Sequence, residues 1–498
     1  MFTSLRKRST HAPPRTAMTF ALLVAVAGCR AGGGTKLASS SSPIVHDRPS
    51  QQPLVPNAPV PISEGSIYQP VTLVSADDSA PEEPHAHSAP EILSESTTPA
   101  AADVLTAEQV VEQALEVNPD VRSAIATWRA AAQRYPQQVS LDDPMFGVML
   151  GPGSWGSDEF DDAYTIEASQ KLPWPGKRQL RGDIAQAEAN AAYFDIDEQR
   201  LRIAQVARLA FYEYYLAHRR LALLDESAQL LNDFREIAQS RYEVAAVEQQ
   251  DVLLADLELA DVARRRLELT RQEQVARARI NTLLLVSPDA PLPPPPALLP
   301  TPPVAASAEQ LRATALALRP ELAAQQARIR AERYAVELAC REFYPDVEVV
   351  GRYDAFWQEE PLRPMVGMNL NVPLYKQRRW AAVAEARARI AKEQAEYDAQ
   401  TVEIAFEVER TYRLVQEAAS AIGVYQSDIL PTARHSIDAA RASYLAGRAD
   451  FLRLVESQRR LLDLEEQYHA AVADYQQRLA ELHRTVGESP IVAGSDSN

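Results

Sequence analysis

Two kinds of hydrophobic pattern alternate along this chain, one with the period of a strand and one with that of a helix. In the clearest strand pattern, apolar residues alternate with Gly367, Asn369 and Asn371. The apolar residues are Val366, Met368, Leu370 and Val372. Such period-two alternation is typical of a half-exposed strand. The segment 347–353 alternates similarly, and 145–151 and 164–172 are the counterparts earlier in the chain, so the sequence predicts four strands.

The segments after the second and fourth predicted strands have the pattern of long, paired helices. They contain no strong helix breaker except Pro431, where we expect a kink. At 1.5 Å per residue, such helices extend to about 100 Å. Apolar residues recur every seven positions, at Ala255, Val262, Leu269, Ala276 and Leu283, at Leu454, Leu461, Tyr468, Tyr475 and Leu482, and at Val472, Leu479 and Val486. Heptad seams of this kind indicate helices paired along their length.

The chain is a tandem duplication. Landmarks of the first copy recur 200 to 202 residues later: Thr106 as Ser307, Pro173 as Pro373, and Tyr242 as Tyr444. The first repeat spans 104–286 and the second 305–487, each with a helix, two strands, a long helix and a further helix. Between them, 287–304 is a Pro-rich connector that we expect to be stiff and solvated. Residues 488–498 are a predicted disordered tail.

The first 28 residues have the features of an export signal. Basic residues precede a short apolar run, 20–27, which is too short to span a membrane. The run ends in Val-Ala-Gly-Cys at 26–29, which resembles the bacterial lipobox and predicts lipidation of Cys29. An ordinary signal with an incidental cysteine is the alternative. Residues 29–103 are rich in Ser, Pro and Ala without a helical period, so we expect the lipidated cysteine to be followed by a disordered tether.

Composition and charge narrow the functional classes. The 498 residues include 51 Lys and Arg against 68 Asp and Glu, a formal net charge of −17. This balance excludes a nucleic-acid binder that relies on phosphate attraction over its whole surface. Only two cysteines occur, and the eight histidines form no HExxH motif. We therefore predict that the protein is not an enzyme and has no cofactor and no metal site.

The four strands match those of a transmembrane barrel in length and alternation, but they are too few to close one. Bacterial barrels use about eight strands or more. An open edge in lipid leaves backbone groups unsatisfied, at several kcal/mol each. Strands in a membrane would therefore have to be pooled, and three copies of four strands would give about twelve. A soluble coiled-coil protein with small sheets capping its helices is the alternative interpretation.

The order and spacing of these features resemble the TolC-like outer membrane efflux family over residues 103–487. The resemblance rests on the duplication, on Leu-Pro-Trp-Pro-Gly-Lys-Arg at 172–178, and on Tyr-Leu-Ala-Gly-Arg-Ala-Asp-Phe-Leu-Arg-Leu-Val-Glu-Ser-Gln at 444–458. It implies a mainly α fold with a small β part. A tunnel of long coiled-coil helices would join a trimeric, twelve-stranded transmembrane β-barrel to which each chain gives four strands. The apolar face of the fourth strand, from Val366 to Val372, would contact lipid.

The same resemblance implies a passive exit duct in a tripartite efflux system, anchored in the outer membrane and extending into the periplasm. Its partners would be two further copies in a homotrimer, outer membrane lipid, a periplasmic adaptor (membrane fusion protein) and an inner-membrane pump of the resistance-nodulation-division type. Within the family, this chain most resembles the lipid-anchored members that serve such pumps, including those of heavy-metal exporters. The alternative function is a coiled-coil envelope scaffold or periplasmic adaptor without a channel.

The resemblance also implies a narrow periplasmic mouth where the long helices turn, at 244–249 and 446–450. Gly447 suits such a turn because glycine tolerates a positive φ. The candidate mouth residues are Tyr444, Arg448, Asp450, Arg453 and Glu456, with Asp251 and Asp256 on the comparable helix of the first repeat. The family usually has an acid at the position of Arg453. We hypothesise that Arg448, Asp450, Arg453 and Glu456 form ion pairs within and between chains that hold the mouth shut, the alternative being a solvated helix face.

Overall fold

The structure is a computed structural model that describes residues 104–155, 162–357 and 359–488. The predictions for the export signal, the lipidated Cys29, the tether and the tail after residue 488 lie outside the described residues. The described residues contain both repeats and the connector between them.

The first repeat begins with three helices in place of the one that the sequence predicts. Its elements are α1 (Ala107–Val117), α2 (Pro119–Ala132), α3 (Arg134–Val139), β1 (Met145–Gly151), β2 (Ala163–Leu172), α4 (Lys177–Glu243) and α5 (Gln249–Leu283). A capping box starts α1, because the Thr106 hydroxyl accepts a hydrogen bond from the Gln109 N–H at 3.3 Å and the Gln109 side chain accepts one from the Thr106 N–H at 2.9 Å.

The second repeat follows the same order. Its elements are α6 (Ala308–Leu318), α7 (Pro320–Arg341), β3 (Asp346–Asp354), β4 (Pro364–Asn371), α8 (Lys376–Val424), α9 (Leu430–Leu445) and α10 (Phe451–Val486). Helix α7 is continuous where the first repeat has α2 and α3. Pro136 lies in the first turn of α3, where its missing N–H is tolerated, and its repeat counterpart is Glu337, which continues the helix.

Pro431 interrupts its helix, as the sequence predicts. A π-helical turn, Tyr425–Ile429, lies between α8 and α9, and Pro431 occupies the first turn of α9. The wider turn relieves the missing proline N–H without ending the helix. The heptad seams are also confirmed: Leu454, Tyr475 and Leu482 are buried on α10, and Ala255 is buried on α5.

The four strands form one antiparallel sheet in the order β1-β2-β3-β4. Because residues in register share a face, Val148 lies beside Ile166 and Val349 beside Met368 on an apolar face. The opposite face is polar, since Arg352 pairs with Glu167, and Ser169 and Asn369 both donate to the Glu348 carboxylate, at 3.0 and 3.3 Å. The sheet therefore has one apolar and one polar side.

The apolar face of the sheet is exposed in the single chain. Val366, Met368 and Leu370, three of the predicted lipid-facing residues, share this face of β4 and are 87%, 62% and 51% exposed. Val372, the fourth, is also exposed but lies one residue beyond the end of β4, which corrects its predicted place within the strand. Among the residues that the structure describes, no layer covers this apolar side, whereas a soluble domain buries such a face against another layer.

A buried lysine joins the sheet to the first long helix. Lys177 is 1% exposed, and its ammonium donates to Asp346 at 2.9 Å, to the Tyr344 carbonyl at 3.1 Å and to Glu342 at 3.2 Å. At the offset that aligns Pro173 with Pro373, the position equivalent to Lys177 in the second repeat is Gln377, which is exposed. A buried ammonium requires such partners, so this cluster fixes the second repeat against the start of α4.

The helices pack around α4 and α10 in three main clusters. Beside the N-terminal helices, Val110 and Phe211 belong to one cluster and Leu311 and Tyr475 to its counterpart in the second repeat. A third cluster, which includes Phe451, lies beside the turns that end α4 and α9. No helix of the described residues is long and apolar enough to cross a membrane.

The Pro-rich connector lies along the helices and contacts them, while residues such as Pro288 and Leu298 stay exposed. Its backbone carbonyls accept hydrogen bonds from tyrosines, Tyr214 donating to Pro293 at 3.3 Å and Tyr475 donating to Pro302. Pro295 is buried. Because proline has no N–H, the segment can lie on an apolar surface without leaving donors unpaired.

Candidate functional site

Two tight turns connect the long helices at the end of the bundle opposite the sheet. Residues 244–248 join α4 to α5, and 446–450 join α9 to α10. Gly447 has a φ of +68°, and its N–H donates to the Tyr444 carbonyl at 2.9 Å. These turns lie where the resemblance puts the tip, and they bring the start of α5 close to the end of α9.

Tyr444 is the buried centre of this region. It is 2% exposed, and its hydroxyl donates to the Asp251 carboxylate at 3.3 Å. Its ring meets Phe451 edge-on at 5.3 Å between centroids, and the Arg241 guanidinium lies 5.0 Å from the ring centre. Burial and the neighbouring Asp251 raise the pKa of Tyr444 to about 12, so the hydroxyl keeps its proton.

Asp251 is half-buried in the first turn of α5, directly after the tip turn of the first repeat. Burial raises the pKa of its carboxyl, the negative charges of Asp450 and Glu248 add to the rise, and the Tyr444 hydrogen bond and Arg241 oppose it. The two tip turns therefore contribute to one electrostatic cluster. Its connection between α5 and α9 is the Tyr444 to Asp251 hydrogen bond.

The other candidate residues face solvent. Arg448, Asp450, Arg453 and Glu456 are exposed, and in the described part of the chain no salt bridge includes any of them. The structure thus brings Tyr444 and Asp251 together but does not join the four charged residues within a chain. Asp256 pairs with α4 and not with the other candidate residues, because it accepts a hydrogen bond from Arg235 at 2.5 Å.

Arg241 also belongs to this site, although no pattern in the sequence marks it. Its guanidinium donates to the Tyr444 carbonyl and packs on the same tyrosine's ring. A cation over an aromatic face is stabilised by about 0.5–1 kcal/mol or more. Its repeat counterpart is Ser443, so the duplication does not point to it.

The described residues provide no group of three or more His, Cys, Asp or Glu side chains placed to hold a metal ion. The contacts that the structure shows around Tyr444 are a hydrogen bond to Asp251, a ring contact with Phe451 and the Arg241 guanidinium over its ring. Such an arrangement can hold helices together or release them.

Comparison with known proteins identifies the fold. Residues 311–488 match the sequence model of the outer membrane efflux protein family. No sequence among the curated proteins matches the chain. Several solved structures are similar to it over most of both chains, and three of them illustrate the likeness.

The outer-membrane channel OprN is 20% identical, with a TM-score of 0.62, and the match covers 77% of this chain and 90% of that chain. The outer membrane protein VceC of Vibrio cholerae is 20% identical, with a TM-score of 0.63 and coverage of 76% and 96%. CusC, described for its folding and transmembrane channel formation, is 14% identical, with a TM-score of 0.65 and coverage of 77% and 92%. The chain therefore has the fold of these channels.

Proposed function

We propose that the protein is the exit duct of a tripartite efflux system, because its second repeat matches the sequence model of the outer membrane efflux protein family and its fold is that of outer-membrane channels. In this role it is a passive conduit across the outer membrane. An inner-membrane pump supplies the energy, and a periplasmic adaptor joins pump to duct.

The single observation that carries the proposal is the two-faced, open sheet. Among the described strands, β1 and β4 each pair on one side only. The apolar face is exposed while the polar face carries the Glu167 to Arg352 pair. Lipid is the solvent that suits the apolar face, and an aqueous pore suits the polar one.

An open sheet in lipid needs its edges paired. Each unpaired backbone group in the hydrocarbon region costs several kcal/mol. Three copies of the chain remove the edges if β4 of each pairs with β1 of the next, and the resulting barrel has twelve strands, within the range of about 8 to 26 known for outer-membrane barrels. The requirement calls for more than one copy, and the homotrimer is the assembly that the family resemblance implies.

The tip turns form the periplasmic mouth in this proposal. Tyr444 and Asp251 hold α9 against α5 within each chain. The exposed Arg448, Asp450, Arg453 and Glu456 are available to neighbouring copies, which supports ion pairs between chains. Two arginines among these four residues distinguish the mouth from a purely acidic ring.

The remaining elements of the proposal concern anchoring and partners. Cys29 carries lipid that anchors the N-terminus in the outer membrane, and residues 30–103 tether it to α1. The pump is of the resistance-nodulation-division type, and a heavy-metal exporter is the closest kind. A coiled-coil scaffold without a channel is not favoured, because it leaves the apolar face of the sheet without an environment.

The test is single-channel recording in a planar lipid bilayer with protein extracted from the outer membrane. We expect discrete conductance steps from the wild-type protein. Protein that is recovered from the soluble periplasm, and that never inserts into the bilayer, would overturn the exit-duct function.

A further inference from the structure

Two ion pairs join α5 to α10, the helices that leave the two tip turns. Glu258 of α5 accepts two hydrogen bonds from the Arg459 guanidinium of α10, the one between Oε2 and Nε being 2.7 Å long. One heptad further from the tip, the Arg265 guanidinium donates to the Glu466 carboxylate at 3.4 Å. We call these two pairs the α5–α10 ladder.

The ladder connects equivalent positions of the two repeats. Glu258 and Arg459 are 459 − 258 = 201 residues apart, and Arg265 and Glu466 are 466 − 265 = 201 apart, which is the offset of the duplication. At both positions the charge is reversed between repeats. The order of charges along α5 is therefore the inverse of that along α10, and the two helices are complementary only when a first repeat lies beside a second.

The carboxylates of the ladder are more buried than its guanidinium groups. The Glu258 side chain is 5% exposed and Glu466 is 17% exposed. Glu258 borders a cavity of about 110 Å³ whose floor includes Ser227 and Leu231 of α4. A buried carboxylate without its cation is strongly unfavourable, so Glu258 depends on Arg459 to remain where it is.

The ladder lies directly above the mouth. Asp251, Glu258 and Arg265 are spaced by seven residues on α5, so they form one stripe along that helix. The lowest member, Asp251, bonds Tyr444, and the two higher members bond α10. If α5 separates from α9 at the tip, it must either move away from α10, which breaks the ladder, or rotate about the ladder.

We propose that the α5–α10 ladder is a positioning device that holds the periplasmic mouth closed, which rests on the proposed channel function. Its four residues need no contact with the transported substrate. Within each chain the two pairs fix the spacing of α5 and α10 next to the tip turns.

The experiment compares closed-state conductance among purified trimers in planar bilayers. Glu258→Gln and Arg459→Gln should each raise the closed-state conductance severalfold, because each removes one charge of the same pair. Arg265→Glu and Glu466→Arg should each do the same. The double variant carrying both Arg265→Glu and Glu466→Arg should return towards the wild-type value, since it restores an opposite pair. A role in stability alone would instead lower the thermal stability of the single variants and leave the closed-state conductance of the assembled trimers unchanged.

Arg266→Gln is the matched control. Its guanidinium pairs with Asp225 of α4 at 2.9 Å, so it links α4 to α5 and not α5 to α10. We expect its conductance to equal that of the wild type. The thermal stability of every trimer is measured in parallel, and Glu258→Gln, which keeps the side-chain volume, decides the result if Arg459→Gln does not assemble.

The outcomes separate the two proposals. Wild-type protein without conductance would overturn the channel and the ladder together. A conducting wild type, with all single variants equal to it, would overturn the ladder alone. A double variant that conducts as much as its single parents would overturn the requirement for charge complementarity.

Discussion

Ala245 ends α4 in the left-handed conformation that Gly447 adopts at the end of α9, with φ of 57° and 68°. The N–H of each residue donates to the carbonyl three residues earlier, Tyr242 and Tyr444 respectively. Both repeats therefore have the same turn, but only the second repeat has a glycine at its left-handed position. A left-handed conformation costs an L-residue roughly 1–2 kcal/mol, so the first tip turn is strained and the second is not.

This asymmetry predicts unequal effects of exchanging the two residues. Gly447→Ala should destabilise the protein by about 1 kcal/mol per chain. The added Cβ would lie 3.5 Å from the Arg241 guanidinium, an ordinary contact, so the cost comes from the backbone. Ala245→Gly relieves strain but gives the unfolded chain more freedom, and should change stability by less than about 1 kcal/mol. Thermal unfolding of both variants measures this, and an unchanged melting temperature for Gly447→Ala would contradict it.

The two faces of β4 predict a difference in membrane insertion. Val366→Lys places a charge on the face proposed to contact lipid and should cost about 2–4 kcal/mol if it lies near the bilayer midplane. Asn369→Lys, on the polar face of the same strand, is the control and should insert normally. The measurement is the fraction of each variant that folds into lipid vesicles. Equal insertion of the two variants would contradict the assignment of the faces.

The exposed acids of the tip predict a change in gating. Asp450→Ala and Glu456→Ala each remove a charge available for pairing between chains, so both should raise the closed-state conductance in planar bilayers. Glu268→Ala, an exposed acid further along α5, should leave it unchanged. If Asp450→Ala and Glu456→Ala both conduct as the wild type does, these residues do not belong to a gate.

Two carboxyl groups between α4 and α7 predict a pH-dependent stability. Burial and the neighbouring Glu321 raise the pKa of Glu198 from 4.5 to about 7. Burial would raise the pKa of Glu321 as well, but its hydrogen bonds with Glu198 and Arg319 lower it. Between pH 4.5 and about 7 the folded state therefore holds a proton on Glu198 that the unfolded state has lost.

The stability contributed by this proton is complete below pH 4.5 and is lost as the pH rises to about 7. The slope is at most roughly 1.4 kcal/mol per pH unit. Glu198→Gln remains neutral throughout, so its stability should change less between pH 5 and 7. Denaturant midpoints at both pH values provide the measurement, and parallel curves for variant and wild type would contradict the prediction.

The sequence predicts the regular elements well because local patterns determine them. The alternation in β4 and the heptads on α10 each define one apolar face of their element, and the residues that form such a face are close together in the sequence. The interruption at Pro431 follows from the chemistry of one residue. The docking of the connector was not predictable in this way, because it depends on Tyr214 and Tyr475, which are distant in sequence.

The site was predictable only in part, for the same reason. Family spacing indicated Tyr444 and Asp251, but not that one hydrogen bond joins them 193 residues apart. Lys177 belongs to a recognisable motif, yet its burial depends on acids of the second repeat. In the helical pattern of α5, Glu258 looks like an ordinary surface residue. Only its heptad spacing from Asp251 and its 201-residue offset from Arg459 could have indicated that it forms an ion pair.

The central claim is that three chains complete one barrel. The most direct measurement is the native mass of protein extracted from the outer membrane in mild detergent. We expect a single species with the mass of three chains. A stable species of one chain that remains in the membrane would contradict it, because four strands cannot close there.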